Sequence, residues 1–188
     1  MDQRIGKRRN VEFQSVTRLL RGCLNRGLHL LARVVPGGYT VRPLIHRLRG
    51  VKIESNVWIG DDVYIDGAHP EAVEIREGAA IAMRSTIIGH TMGTGRVVIG
   101  KRAAVCAGCT IVCSSGKTLT IGEGAVVSAG STVSNDIPAH TLCGPPRIQI
   151  YGTVETPLRG AATLEEFRRG LKPLRRHQEV LTPNRERL

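Results

Sequence analysis

The chain has 188 residues and a formal net charge of +11, with one Trp, three Tyr and two Phe, a length that suits one domain or one and a half. No apolar run approaches the length of a membrane span, and Met1–Asn10 is not followed by a signal-type apolar segment. A cytoplasmic protein is therefore expected, at most peripheral at the inner face of a membrane. Five cysteines (Cys23, Cys106, Cys109, Cys113 and Cys143) form an odd set without framework spacing, which argues against a disulfide scaffold and favours reduced thiols.

Charge is unevenly spread: the net is +9 over residues 1–50, −1 over 51–150 and +3 over 151–188. Such asymmetry suggests an anionic partner. Nucleic acid is not expected, because no aromatic stacking positions lie among the basic residues. Residues 11–35 read as a helix: Val16, Leu20, Cys23/Leu24, Leu31 and Val34/Val35 recur at three-to-four spacing, while Arg18, Arg21, His29 and Arg33 gather on another side. Pro36-Gly37-Gly38 ends it. Two expectations follow: the apolar stripe covers the first coil or a neighbouring subunit, or the helix lies on anionic membrane. Arg42, His46, Arg47 and Arg49 then lead into the next segment.

From Ile53 to Val133 an aliphatic residue returns every six positions: Ile53, Ile59, Ile65, Ile75, Ile81, Ile87, then Gly93, Ile99, Val105, Ile111, Ile121, Val127 and Val133. The register jumps by four extra residues between Ile65 and Ile75 and between Ile111 and Ile121, as corner insertions would make it jump. A period of six is neither helical nor a simple alternation; it is the mark of a parallel β-helix. Four places after each aliphatic residue stands a mostly small or β-branched one: Val57, Val63, Ala79, Ser85, Thr91, Val97, Ala103, Cys109, Ser115, Ala125 and Ser131. One large and one small inward residue per hexad fill a narrow prism, whose core of Ile, Val and Ala needs few aromatics. Gly60, Gly100 and Gly122 read as turn residues that exploit glycine's backbone freedom. Three hexads per coil give a little over four coils, about 20 Å of stacked strand spacing, with ends that need caps. Cys106, Cys109 and Cys113 fall at different phases and read as packing, with no metal expected. After the prism, Thr163-Leu164-Glu165-Glu166 has the form of a capping box and opens a short helix that stops before Pro173. It is expected to cap an end, with the arginine-rich last fifteen residues mobile.

The organisation predicted is a basic helical segment (1–50), an all-β prism (51–150) and a C-terminal helical cap with a basic tail (151–188). Over 51–150 the hexads resemble the hexapeptide-repeat acyltransferases, and most closely its sugar and polysaccharide O-acetyltransferases. That resemblance implies a left-handed parallel β-helix and acetyl-CoA as donor. It also implies a homotrimer, with each active site between two prisms and a carbohydrate hydroxyl as acceptor. The segment Ile88-Gly89-His90-Thr91-Met92-Gly93-Thr94-Gly95 then resembles the place where the family carries its general base, and His90 matches it. An imidazole suits proton removal from an attacking hydroxyl, help worth about 10²–10⁴-fold. Backbone N–H groups of Gly93–Gly95 could steady an oxyanion.

The resemblance further assigns the donor groove to Ala107, Ser128 and Ala129, with Ser134 and Asn135 in the exit motif and Arg147 near the CoA phosphates. Asn135 stands where the family often has Lys, and the stretch from Asp136 to Arg147 is one or two residues short. Asp66, with Glu71 and Glu74, is expected either to orient His90 or to hold acceptor hydroxyls; His69 could line an acceptor pocket, and His140 sits in an exit turn. Zinc hydratases of the γ type share the fold but need a closely spaced pair of histidines, which this chain lacks. The other reading is a non-catalytic β-helix scaffold. Serine acetyltransferases share the prism with a longer helical N-terminal part.

Overall fold

Every aliphatic position of the repeat except Gly93 lies in a short strand. A computed structural model describes residues 16–90 (side chains from 20), 93, 95–146 and 149–173. Twelve strands make four coils of three: β1 (Lys52–Ile53), β2 (Trp58–Ile59) and β3 (Tyr64–Ile65); β4 (Val73–Ile75), β5 (Ala80–Ile81) and β6 (Thr86–Ile88); β7 (Arg96–Ile99), β8 (Ala104–Val105) and β9 (Thr110–Val112); β10 (Thr118–Ile121), β11 (Val126–Val127) and β12 (Thr132–Val133). They stack into three parallel sheets, β1-β4-β7-β10, β2-β5-β8-β11 and β3-β6-β9-β12, with β13 (Leu142–Cys143) extending the second.

Register follows the repeat. Ile53, Ile75, Ile99 and Ile121 stack on one side. Ile59, Ile81, Val105 and Val127 stack on the next. Ile65, Ile87, Ile111 and Val133 form the third column. These columns and the small positions beside them are the buried core. Burying one such side chain is worth roughly 1.5–3 kcal/mol, a gain repeated at each hexad.

Two repeat positions depart from expectation. Gly93 is exposed and outside any strand, so one hexad is replaced by a loop between β6 and β7. Ser115 is likewise exposed in the loop before β10, and Leu119 fills the interior there instead. Thr91 lies outside the described residues. All three departures from the six-residue step thus fall at the same corner, after β3, β6 and β9.

The glycines that follow aliphatic residues also have a different cause from the one expected. The left-handed turn positions come three residues after the aliphatic ones, at Asn56, Gly78, Arg102 and Gly124 on one corner and at Asp62 after Ile59 on the next. At Gly60, Gly100 and Gly122 the constraint is space: a Cβ there would lie 2.6 Å from the Met83 nitrogen, 2.6 Å from the Ile121 oxygen and 2.3 Å from the Ala139 nitrogen. The next coil's backbone leaves no room for a side chain.

The first coil meets α1 (Val16–Val34) and α2 (Val41–Arg49), within one compact unit that runs to Pro145. Alternate backbone groups of an edge strand have no strand to meet. Here α2 supplies the donors. Arg47 Nε donates to the Ile53 carbonyl at 2.9 Å, Arg42 to Ile59 at 3.1 Å, and Arg49 to Ile65 at 2.9 Å. Each arginine caps one side of the prism. Arg42 and Arg33 also pair with Asp61 and Asp62. Four N-terminal cations are therefore engaged inside the unit, which narrows the charge available to an anionic partner. The helix face against the prism carries buried His29 and Ala32 and half-buried Asn25 and Arg33; Leu20, Leu24, Leu31 and Val34 remain exposed. The apolar stripe does not cover the first coil, which leaves a neighbouring subunit or a membrane surface from the expectations above.

The second unit, from Pro146, holds α3 (Leu164–Arg169) between antiparallel β14 (Gly152–Val154) and β15 (Leu171–Pro173). Thr163 accepts from the Glu166 N–H at 3.2 Å, the expected cap. The Glu166 carboxylate reaches Ala162 rather than Thr163. Met1–Asn10 and the basic tail after Pro173 lie outside the described residues. Among those described, no helix is long and apolar enough to cross a membrane.

Candidate functional site

Stacking brings together two residues 24 apart in the chain. Asp66 follows β3 and His90 follows β6, and these strands pair with Ile65 opposite Ile87. Asp66 is fully buried while the His90 ring is 34% exposed, and His90 Nδ1 lies 2.5 Å from Asp66 Oδ2. Both carboxylate oxygens are engaged. Oδ1 accepts from the Ala68 and His69 N–H groups at 3.0 and 2.9 Å, and Oδ2 also accepts from the Gly89 N–H at 3.0 Å. A carboxylate so enclosed has no free lone pair aimed at solvent. Of the two roles expected for Asp66, the geometry suits orientation of His90 rather than direct binding of an acceptor hydroxyl.

Burial pushes the Asp66 carboxyl up, but the His69 N–H, the His90 ring and the Ala68 N–H outweigh it and hold the group below the usual carboxylate range. An ionised carboxylate only accepts, so a neutral His90 ring carries its proton on Nδ1 and has Nε2 as its acceptor. Gly89 is tightly packed: a Cβ there would lie 2.8 Å from Ala72 Cβ.

His90 lines a cleft of about 270 Å³ with Lys52, His69, Glu71, Ala72, Gly95 and Arg96. The insertion after β3 supplies His69 and Glu71. The two imidazoles meet edge to face at 5.0 Å, and His69 Nδ1 lies 3.2 Å from Glu71 Oε1. Glu74, on β4, faces outward and pairs with Arg76 and Arg96. Gly95 lines the cleft and Gly93 lies against Ser115, whereas Thr91, Met92 and Thr94 lie outside the described residues.

The donor-side residues divide between two corners. Ala107 follows β8, and Ser128 and Ala129 follow β11, one coil later on the same corner between the second and third sheets. The Gly130 N–H donates to the Ala107 carbonyl at 3.0 Å. Ala107 and Ser128 are half-buried and Ala129 exposed. Ser134 and Asn135 follow β12 on the His90 corner, two coils further on, about 10 Å at the strand spacing. They share a hollow of about 230 Å³ with Cys143 and Gly144. Arg147 lies outside the described residues. His140 stands apart, exposed at a left-handed coil corner (φ 55°). Cys109 and Cys113 are in the core, and among the described residues no group of three or more His, Cys, Asp or Glu is placed to hold a metal.

The residues behind Asp66 had no sequence signal. Arg49 reaches its carbonyl from α2, and Asn25 reaches the next one, of Gly67, from α1. The dyad itself had one: counting hexads from Ile65 and Ile87 places Asp66 and His90 at one corner, a coil apart.

No protein-family model matches the chain. A serine acetyltransferase of Bacillus pumilus is 31% identical over 134 residues, covering 69% of this chain and 58% of that protein. The bifunctional protein GlmU of Streptococcus pyogenes is 24% identical over 134 residues, 64% of this chain and 28% of its own. Soybean serine acetyltransferase complexed with serine superposes with a TM-score of 0.44 at 26% identity, over 70% of this chain and 56% of that one. The chain spans well under two thirds of the length of each. By its repeat, the coil that repeat builds and the match to the Bacillus enzyme, this chain is a hexapeptide-repeat β-helix protein related in sequence to acetyltransferases.

Proposed function

We propose that the protein transfers an acetyl group from acetyl-CoA to a hydroxyl of a carbohydrate, a polysaccharide unit or its precursor, with His90 as general base. The observation that carries this reading is the dyad: a buried, ionised Asp66 on Nδ1 and a partly exposed ring lining a cleft. His90 Nε2 takes the hydroxyl proton as the oxygen attacks the thioester carbonyl. The tetrahedral intermediate then expels the CoA thiolate, and the imidazolium returns its proton to that sulfur.

The groove residues Ala107, Ser128 and Ala129 occupy a different corner from His90. One prism does not join them, which supports a homotrimer with each site shared between neighbours. Exposed Leu20, Leu24, Leu31 and Val34, with Leu44 and Leu48 on α2, support a further contact of that end with an anionic membrane that carries a lipid-linked acceptor. A second acceptor, the hydroxyl of L-serine, is favoured by the match to the Bacillus enzyme.

The test is a thiol-release assay with acetyl-CoA against sugar acceptors and L-serine. His90→Ala should lower kcat by about 10²–10⁴-fold. Full activity in that variant would overturn the reading. Absence of CoA binding at millimolar concentration in a thermal-shift titration would favour a scaffold instead. Light scattering should give three copies, and an active monomer would overturn the shared site.

A further inference from the structure

Three arginines of α2 cap the first coil, and their surroundings differ. Arg42 ends on Asp61, and Arg47 is exposed on the Ile53 and Glu54 carbonyls. Arg49 is 6% exposed, and among the described residues no carboxylate hydrogen-bonds its guanidinium. Its Nε donates to Asn25 Oδ1 at 2.8 Å, Nη1 meets His46 Nδ1 at 2.8 Å, and Nη2 donates to the carbonyls of Ile65 and Asp66 at 2.9 and 2.8 Å. Asn25 Nδ2 donates in turn to the Gly67 carbonyl at 2.8 Å. Three successive carbonyls, on either side of the residue that holds His90, are thus gripped by side chains from the two helices.

We propose that Arg49, held by Asn25 and His46, is a positioning residue for the His90 base. It acts through Asp66. Coil stacking ties the Asp66 N–H to the Ile87 carbonyl at 2.9 Å, but the chain leaves β3 at Ile65 for an insertion and the Asp66 carbonyl is held by Arg49. Arg49 holds two carbonyls with Nη2 while Asn25 and His46 fix Nε and Nη1 of the same planar group, a four-contact geometry a lysine ammonium does not reproduce. The guanidinium charge, buried beside an ionised Asp66 and a neutral His46, also favours the carboxylate form. A displaced Asp66 would release the Nδ1 proton and let the His90 ring exchange tautomers, placing a proton on the nitrogen that has to accept one.

This rests on the acyltransferase reading only for its kinetic consequence. The experiment is a long-range ¹H–¹⁵N spectrum of the histidine rings of the full chain, with His90 assigned by the signals lost in His90→Gln. The wild type should show the Nδ1–H tautomer. Arg49→Gln and Asn25→Ala should show mixed tautomers, with Arg49→Lys only partly restored. Arg42→Gln, which removes a buried cap from another side of the same coil, should lower the melting temperature but keep the Nδ1–H tautomer. The transfer assay should give a kcat lowered roughly 10- to 100-fold in Arg49→Gln with the KM for acetyl-CoA unchanged. An unaltered tautomer in Arg49→Gln, or in Asn25→Ala should Arg49→Gln not fold, overturns the proposal; so does an equal change in Arg42→Gln. If the wild type transfers no acetyl group, the functional reading fails while the spectrum still decides the role of Arg49.

Discussion

The corner between the second and third sheets and the corner between the third and first are built from one repeat, yet they hold different things. The former turns alike in every coil, with Asp62, Arg84, Gly108 and Gly130 at the same left-handed position (φ 56°, 58°, 68° and 72°). The latter carries the insertions 66–72, 89–95 and 113–117. It also carries Asp66, His69 and His90. Where every coil turns alike, the chain has no residues beyond those of the turn itself. Where the register is released, the chain can aim side chains at one another, and the candidate chemistry collects there.

The sharpest way to break this contrast is at the loose corner. Asp66→Asn leaves the volume intact but presents an amide N–H to the His90 ring, reversing its tautomer. The expected loss in kcat is about 10²–10⁴-fold with little change in the KM for acetyl-CoA. Steady-state kinetics of the variant check it, and a kcat within twofold of wild type would detach Asp66 from the chemistry.

At the tight corners the expected effects are on stability. Gly122→Ala forces a Cβ against the Ala139 backbone and should cost about 3 kcal/mol in urea unfolding. An unchanged midpoint would mean the coils can spread apart.

The helical end behaves differently again, because its polar groups are buried histidines. Burial, then Arg49 and Arg33, lowers His29 to about 4. Burial, then Arg49 and His29, lowers His46 to about 3. Both unfold to rings that titrate near the ordinary value of about 6.5, so the unfolded chain binds more protons below that pH. Their stabilisation is whole above pH 6.5 and is lost as pH falls toward 4. Between pH 7 and 5 the loss should be about 1–2 kcal/mol for each ring. Urea midpoints at the two pH values check this, and equal midpoints would contradict neutral buried rings.

The smallest effect belongs to a turn with space around it. Nothing lies within 4 Å of a Cβ at Gly108, so Gly108→Ala should cost only the left-handed backbone penalty, about 1 kcal/mol. A loss as large as that of Gly122→Ala would erase the distinction between conformational and steric glycines.

Much of the prism was legible before any coordinates. Buried Ile and Val at a fixed step state their own stacking, because each coil hides its interior only against an identical neighbour. Gly93 misled, since a hexad skipped by a loop of the right length keeps the count while leaving the core. The reasons for Gly60, Gly100 and Gly122 were misread too: close approach of a later coil is not written beside the residue it constrains.

His90 stood out by its place before a glycine-rich loop, and its partner was within reach of the repeat arithmetic. Arg49, His46 and Asn25 were not, because α1 and α2 carry no hexad repeat that would set a residue against a particular coil. By itself the sequence determined the period, the core columns and the residue offered as base, all of which depend on local spacing. Only the tertiary structure decided that Asp66 is sealed beneath His90, that the apolar stripe of α1 faces outward, and that three arginines close the open end of the coil. Those depend on which unpaired carbonyls a folded edge exposes and which side chains can reach them.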